Sequence, residues 1–130
     1  MYLRFTNLRI ALGLIGLMGI PLLTQCVRQD EQACTMEFRT LGLQVNDGLL
    51  NRHYTLRLST GDTLFHPYEA VLPGYYAVLT DEAHSWLKGK TEDFRFEGWR
   101  NDSLVVQAQY RIGADACHVF KESGPTQWPQ

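Results

Sequence analysis

Acidic side chains are absent from the first 26 residues, whose only charges are Arg4 and Arg9. No apolar run reaches the ~20 residues that a helical membrane span needs. The chain has no internal repeat, no low-complexity segment, no Gly-rich phosphate loop and no His-Glu-x-x-His pattern. These absences set aside repeat architectures, P-loop nucleotide chemistry and helix-borne zinc catalysis. Basic residues form no run, and residues 27–130 set 10 bases against 14 acids, a net charge of −4. Such a segment has no bulk attraction for nucleic acid or for anionic lipid heads. At 130 residues the chain has room for one domain.

What is present begins with a positive segment at 1–9, followed by a 14-residue apolar core at 10–23 interrupted only by Gly and Pro21. That length and those flanks predict a cleaved signal helix over 1–25. A short buried helix and an uncleaved anchor are the alternatives. Leu23-Thr24-Gln25-Cys26 then resembles the lipobox of bacterial lipoproteins, with Gln25 where that family usually has a small residue. The resemblance implies lipidation of Cys26, first as a diacylglycerol thioether, then by further acylation (palmitate-type chains) after cleavage. Two or more acyl chains make a lasting anchor, so the bilayer itself is an expected partner. Ordinary secretion is the rival. Residues 26–33 read as the acylated Cys and a polar tether. The pair Asp30-Glu31 is similar to the acidic signal that sends many Bacteroidota lipoproteins to the outer leaflet of the outer membrane; a solvated linker describes it equally well.

Three cysteines are present. If Cys26 carries lipid, Cys34 and Cys117 remain, and in an oxidising compartment the economical assignment joins them. The bridge would close a loop of about 80 residues and contribute about 4 kcal/mol. The rival reading places Cys117-His118 and another His on a metal, without the spacing of a zinc site.

Residues 34–121 are dominated by strand signals. Alternation at 35–45 changes face near Gly42, which predicts a bulge. Asn46-Asp47-Gly48 is a turn signal. Tyr54, Leu56 and Leu58 alternate with polar neighbours, as in a half-buried strand. Thr60-Gly61-Asp62 turns the chain, with 63–65 as the return. Residues 66–74 read as a loop around a short pairing at Ala70-Val71-Leu72, and 75–80 as a compact strand. Residues 81–90 alone have helical character, with Asp81 as the cap and Trp86 and Leu87 inward. Phe94 and Phe96 should face inward, and so should Val106, Ala108, Tyr110 and Ile112. Residues 116–120 read as a final strand carrying Cys117, with His118 alternating outward. Residues 122–130, with two Pro, read as a frayed tail. Short, one-side-wet strands predict an all-β antiparallel two-sheet sandwich, a small closed barrel being the competing fold.

The segments Cys34-Thr35-Met36-Glu37-Phe38-Arg39 and Gly113-Ala114-Asp115-Ala116-Cys117-His118-Val119 carry a wider resemblance. With Asn46-Asp47-Gly48 and Phe94-Arg95-Phe96-Glu97-Gly98, they resemble small lipoproteins of Bacteroidota with a transthyretin-like or carboxypeptidase-regulatory-like domain. The likeness covers about residues 33–120. It implies an Ig-like sandwich with the Cys34–Cys117 bridge and no particular activity. The family turn often continues Gly-x-Pro-Val; here it reads Gly48-Leu49-Leu50-Asn51.

No catalytic constellation is legible. His53, His66, His84 and His118 lack ligand spacing and read as surface or packing residues. The adjacent acids Asp81-Glu82 and Glu92-Asp93 would point to opposite faces of a strand. Ser59, Ser85 and Ser103 lack a nucleophile elbow. No cofactor or metal is expected. Tyr75, Tyr76, Trp86 and Trp99 are the candidate surface for a glycan or an envelope protein, with core packing the alternative reading. The leading expectation is a non-enzymatic binding or structural module held on the outer membrane, with an apolar or aromatic patch near 66–74 or 81–91. A small enzyme acting on peptidoglycan or glycan, and an accessory subunit offering an edge strand, are the alternatives.

Overall fold

A computed structural model describes residues 33–66 and 72–129. The expected signal helix, Cys26 and the tether up to residue 32 lie outside the described residues, as do Ala70 and Val71. Among the described residues there are eight strands: β1 (Thr40–Val45), β2 (Arg52–Arg57), β3 (Thr63–Leu64), β4 (Tyr75–Thr80), β5 (Thr91–Arg100), β6 (Ser103–Ala114), β7 (Val119–Ser123) and β8 (Gln127–Trp128). A 3-10 turn (Asp81–Ala83) runs into a single helical turn, α1 (His84–Leu87). One sheet has the order β4-β1-β8 and the other β3-β2-β5-β6-β7. Among these strands the pairings are antiparallel except β1 with β8. The fold is the all-β two-sheet sandwich that the strand pattern predicts.

The core lies between the sheets. Phe94, Phe96, Val106 and Ile112 of the larger sheet are fully buried, against Leu43 and Val78 of the smaller. Leu87 of α1 is fully buried in the same cluster. Each Phe contributes up to about 3 kcal/mol of apolar transfer. The longest pair, β5 with β6, is joined by Asn101-Asp102, both at positive φ (49° and 60°), with Arg100 opposite Ser103. This two-residue turn matches the twist of the strands it joins.

The bulge near Gly42 is present: the β1–β4 register shifts between Leu41 and Gly42. The glycine leaves room for the Tyr75 ring, whose far end a Cβ there would have to displace. The strand starts later than expected, at Thr40; Met36 and Phe38 are exposed.

Asn46-Asp47-Gly48 makes no hairpin. β1 and β2 belong to different sheets, so this turn is an arch over the edge of the sandwich. Arg100 holds it, donating to Gly48 O (3.0 Å), Leu49 O (3.1 Å) and Asp47 Oδ1 (3.2 Å). In β2 the apolar residues do not take the core side. Thr55 is fully buried, while Leu58 beyond the strand is exposed. Thr55 Oγ1 donates to Val78 O of the other sheet at 2.6 Å, and that bond removes the cost of burying the hydroxyl. Tyr54 points outward, where its hydroxyl donates to Glu97 Oε2 at 2.6 Å.

The tail is not frayed. Gln44 N donates to Thr126 O (3.0 Å) and Asn46 N to Trp128 O (2.8 Å), which sets β8 beside β1. Trp128 packs on the core. The two Pro flank this short strand without interrupting it.

Candidate functional site

Three places bring polar or aromatic side chains together. The first is centred on Asp81. It does not cap the helical turn; the Thr80 hydroxyl accepts from Glu82 N there (3.4 Å). The Asp81 carboxylate instead reaches across to Arg39 N, Val119 N and His118 Nδ1, each at 2.8 Å. Nδ1–H donates to the carboxylate, and Nε2 lies 3.0 Å from Thr35 Oγ1, from which it accepts when the ring is neutral. Burial pushes the Asp81 carboxyl up, but the two backbone N–H groups and His118 outweigh it and hold the acid below its ordinary range.

His118 is therefore buried, not exposed. The reason is local. Cys117 sits in the turn before β7 rather than in a strand, so alternation from it does not apply. Asp115 Oδ1 accepts from Cys117 N (2.7 Å) and His118 N (2.9 Å), which turns the imidazole inward. Beside this cluster Cys34 is bonded to Cys117, with Cα atoms 5.3 Å apart. The pairing excludes the rival metal role for Cys117, and among the described residues no group of three or more His, Cys, Asp or Glu is placed to hold a metal ion.

Thr35, His118 and Asp81 follow the hydroxyl–imidazole–carboxylate order of an acyl-transfer triad. Two features oppose that use. The nearby N–H groups of Cys117 and His118, which an oxyanion would need, are already bonded to Asp115. Thr35 also lies outside the groove that forms the second place. The cluster is a clamp that fastens residues 34–39 to the end of the sandwich.

That second place is a groove of about 340 Å³ between β3, β4 and the helical turn, lined by Leu64, Phe65, His66, Leu79, Ala83 and Trp86. Phe65 is 67% exposed at its mouth, and Leu72 is exposed as well. His66 Nε2 lies 3.1 Å from Val78 O, and burial lowers the pKa of this imidazole. Trp86 is half-buried: one neighbour is Phe94 (6.3 Å between centroids), and Arg57 lies over its ring at 4.3 Å. Arg57 is fixed by two bonds of 2.6 Å to Glu92, which also accepts from Ser59. The guanidinium holds the Glu92 carboxyl down to about 2.

The third place is the outer face of the larger sheet. Arg52 stacks on Trp99 at 4.6 Å, and Glu97 accepts from both Tyr54 and Arg95. Phe65 meets Tyr54 edge-on at 6.0 Å.

The four candidate aromatics are not brought together. Trp86 lines the groove, and Trp99 lies on the outer face. Tyr76 turns inward against His53 (4.8 Å), and its hydroxyl accepts from Leu50 N. Tyr75 lies across Gly42 on the opposite side of β4. The groove sits where a patch was expected, but its exposed aromatic is Phe65, which the sequence marks only as a strand return. Phe65 follows a two-residue strand, Thr63–Leu64, that is too short to show alternation, so no periodic signal marks it. Comparison with family models, curated proteins and solved structures finds no match to the chain.

Proposed function

We propose that the chain is an exported lipoprotein, anchored through Cys26 in the outer membrane of a bacterial envelope, whose sandwich acts as a non-enzymatic binding module. The observation that carries this reading is the Cys34–Cys117 bridge. Such bonds persist in oxidising compartments, and pairing these two thiols leaves Cys26 as the third. The exposed Phe65 and half-buried Trp86 support binding, since aromatic anchors of this kind dominate recognition surfaces. Intact mass of protein extracted from membranes tests the reading. The expected mass begins at Cys26, carries two or three acyl chains, and lacks the two hydrogens of the bridge. A full-length, unmodified mass would remove the anchor.

One observation favours the enzymatic alternative, the Thr35–His118–Asp81 chain. Hydrolysis of p-nitrophenyl acetate separates the two readings. The expected rate is the same for the native protein and Thr35→Val; a rate that falls tenfold or more in the variant would move the function to that cluster.

A further inference from the structure

β6 is twelve residues long, but β7 pairs only with its last four positions, from Arg111 onward. Beyond Arg111 the chain leaves the sheet at Ser123–Gly124 and crosses to β1, so among the described residues no strand lies beside 103–110 on the side of β6 away from β5. Every second N–H and C=O of that stretch therefore points outward with no partner among the described residues.

The other edges are short, carry charge or are partly taken. β3 and β8 have two residues each, and Pro129 follows β8. On β4, Val78 O is taken by the Thr55 hydroxyl and by His66. The open part of β2 is three residues long and carries Arg52. β7 carries Lys121 and Glu122, and Glu122 is paired with Arg111. Residues 104–110, Leu-Val-Val-Gln-Ala-Gln-Tyr, have no charge, no Pro and no Gly. Gln107 and Gln109 are exposed, and they form one wall of a trough of about 670 Å³ whose other wall is Pro125, Gln127 and Trp128. Residues 124–128 are uncharged too.

We propose that this trough is a strand-addition site, in which an extended, uncharged segment of a partner polypeptide pairs with residues 104–110 as a sixth strand. The neutral walls select the occupant. A charged segment would lose solvent without meeting an opposite charge, while alternating Thr and Val would pair its backbone and seat small side chains beside Trp128. A second copy fits less well. In a two-fold antiparallel pairing centred on Gln107, Ser103 of one copy would fall opposite Arg111, the place that Ser123 already occupies. The site is separate from the groove at Phe65 and shares with the proposed function only the idea that the domain binds.

The test uses the full chain in detergent and a capped heptapeptide of alternating Thr and Val, followed by amide NMR. Saturable shifts and slowed exchange are expected at alternate amides within 104–110. Methylating one set of alternate peptide nitrogens should abolish binding, and methylating the other set should leave it within about threefold, because only one set faces β6. Replacing the Val residues by Lys should weaken binding at least about tenfold. The proposal is overturned by equal effects of the two methylations, or by no saturable shift at millimolar peptide. Shifts confined to Phe65 and Trp86 would overturn it and leave the binding-module reading standing. Amides already protected before peptide is added, in a chain that sediments as a dimer, would give the edge to a second copy.

Discussion

Replacing Asp81 by Asn would keep the size of the side chain and withdraw its charge from three donors, Arg39 N, Val119 N and His118 Nδ1. The amide can still accept at one atom, but its NH2 would face an N–H group. Bonds to a charged partner contribute about 1.5–3 kcal/mol each and do not add fully, so a loss of about 3 kcal/mol is expected. In urea the midpoint should fall with the slope unchanged. The acid dependence should change as well. The folded pKa of Asp81 is depressed, so its stabilisation is complete above its unfolded value, about 4, and disappears as pH falls through the lower folded value. Asp81→Asn should flatten the stability–pH curve in that window; a variant as acid-sensitive as the native protein would show that Asp81 does not fasten the N-terminal segment. Thr55→Val is a second residue-scale case. It leaves the core volume nearly unchanged and removes one of the two donors to Val78 O, the other being His66. The expected cost is about 1 kcal/mol, read as a small fall in melting temperature.

Elements were legible where the local signal and the tertiary demand agreed. β5 and β6 could be read almost residue by residue, because Phe94, Phe96, Val106, Ala108, Tyr110 and Ile112 alternate with charged or polar residues on the other face. β2 shows the limit. Its apolar set alternates as cleanly, yet Thr55 takes the core because a carbonyl of the opposite sheet waits there, and no pattern within β2 encodes that carbonyl. His118 and Asp81 were hidden for a related reason, since their partners lie 37 residues apart in sequence. The tail was misread because two Pro usually mark an end, and a two-residue parallel pairing leaves no periodicity. If β8 belongs to the sheet, Trp128→Ala should cost about 2 kcal/mol through lost packing, and a chain ending at residue 124 should lose more. A tail of the kind first expected would make both changes silent, and thermal melting of the two variants decides between these outcomes.

At the scale of the whole molecule the bridge and the polar clamp do one job by different physics. Cys34 and Cys117 are 83 residues apart, so joining them restricts nearly the whole domain in its unfolded state. Loop-closure arithmetic gives about 4 kcal/mol for such a loop. The clamp acts on the folded state, through Asp81, His118 and Thr35, and it depends on pH, whereas the bridge does not. The two should therefore separate under titration. At pH 7 the Cys34→Ser, Cys117→Ser double variant is expected to stay folded and to melt about 20 °C lower, at 4–8 °C per kcal/mol for a domain of this size. On acidification the difference between the two proteins should stay nearly constant, while both lose stability together. His53 and His66 begin that loss. Burial lowers both pKa values, so each is neutral when folded and takes up a proton more readily when unfolded, which costs stability as pH falls below about 6.5. Glu92 continues it between about 4.5 and about 2, where protonation releases Arg57 from its place over Trp86. Melting curves of the two proteins at pH 7, 5 and 3 check this. If the gap between them closed on acidification, the bridge would be acting through the clamp, by holding Thr35 and Arg39 against the His118–Asp81 pair, and not by restricting the unfolded chain.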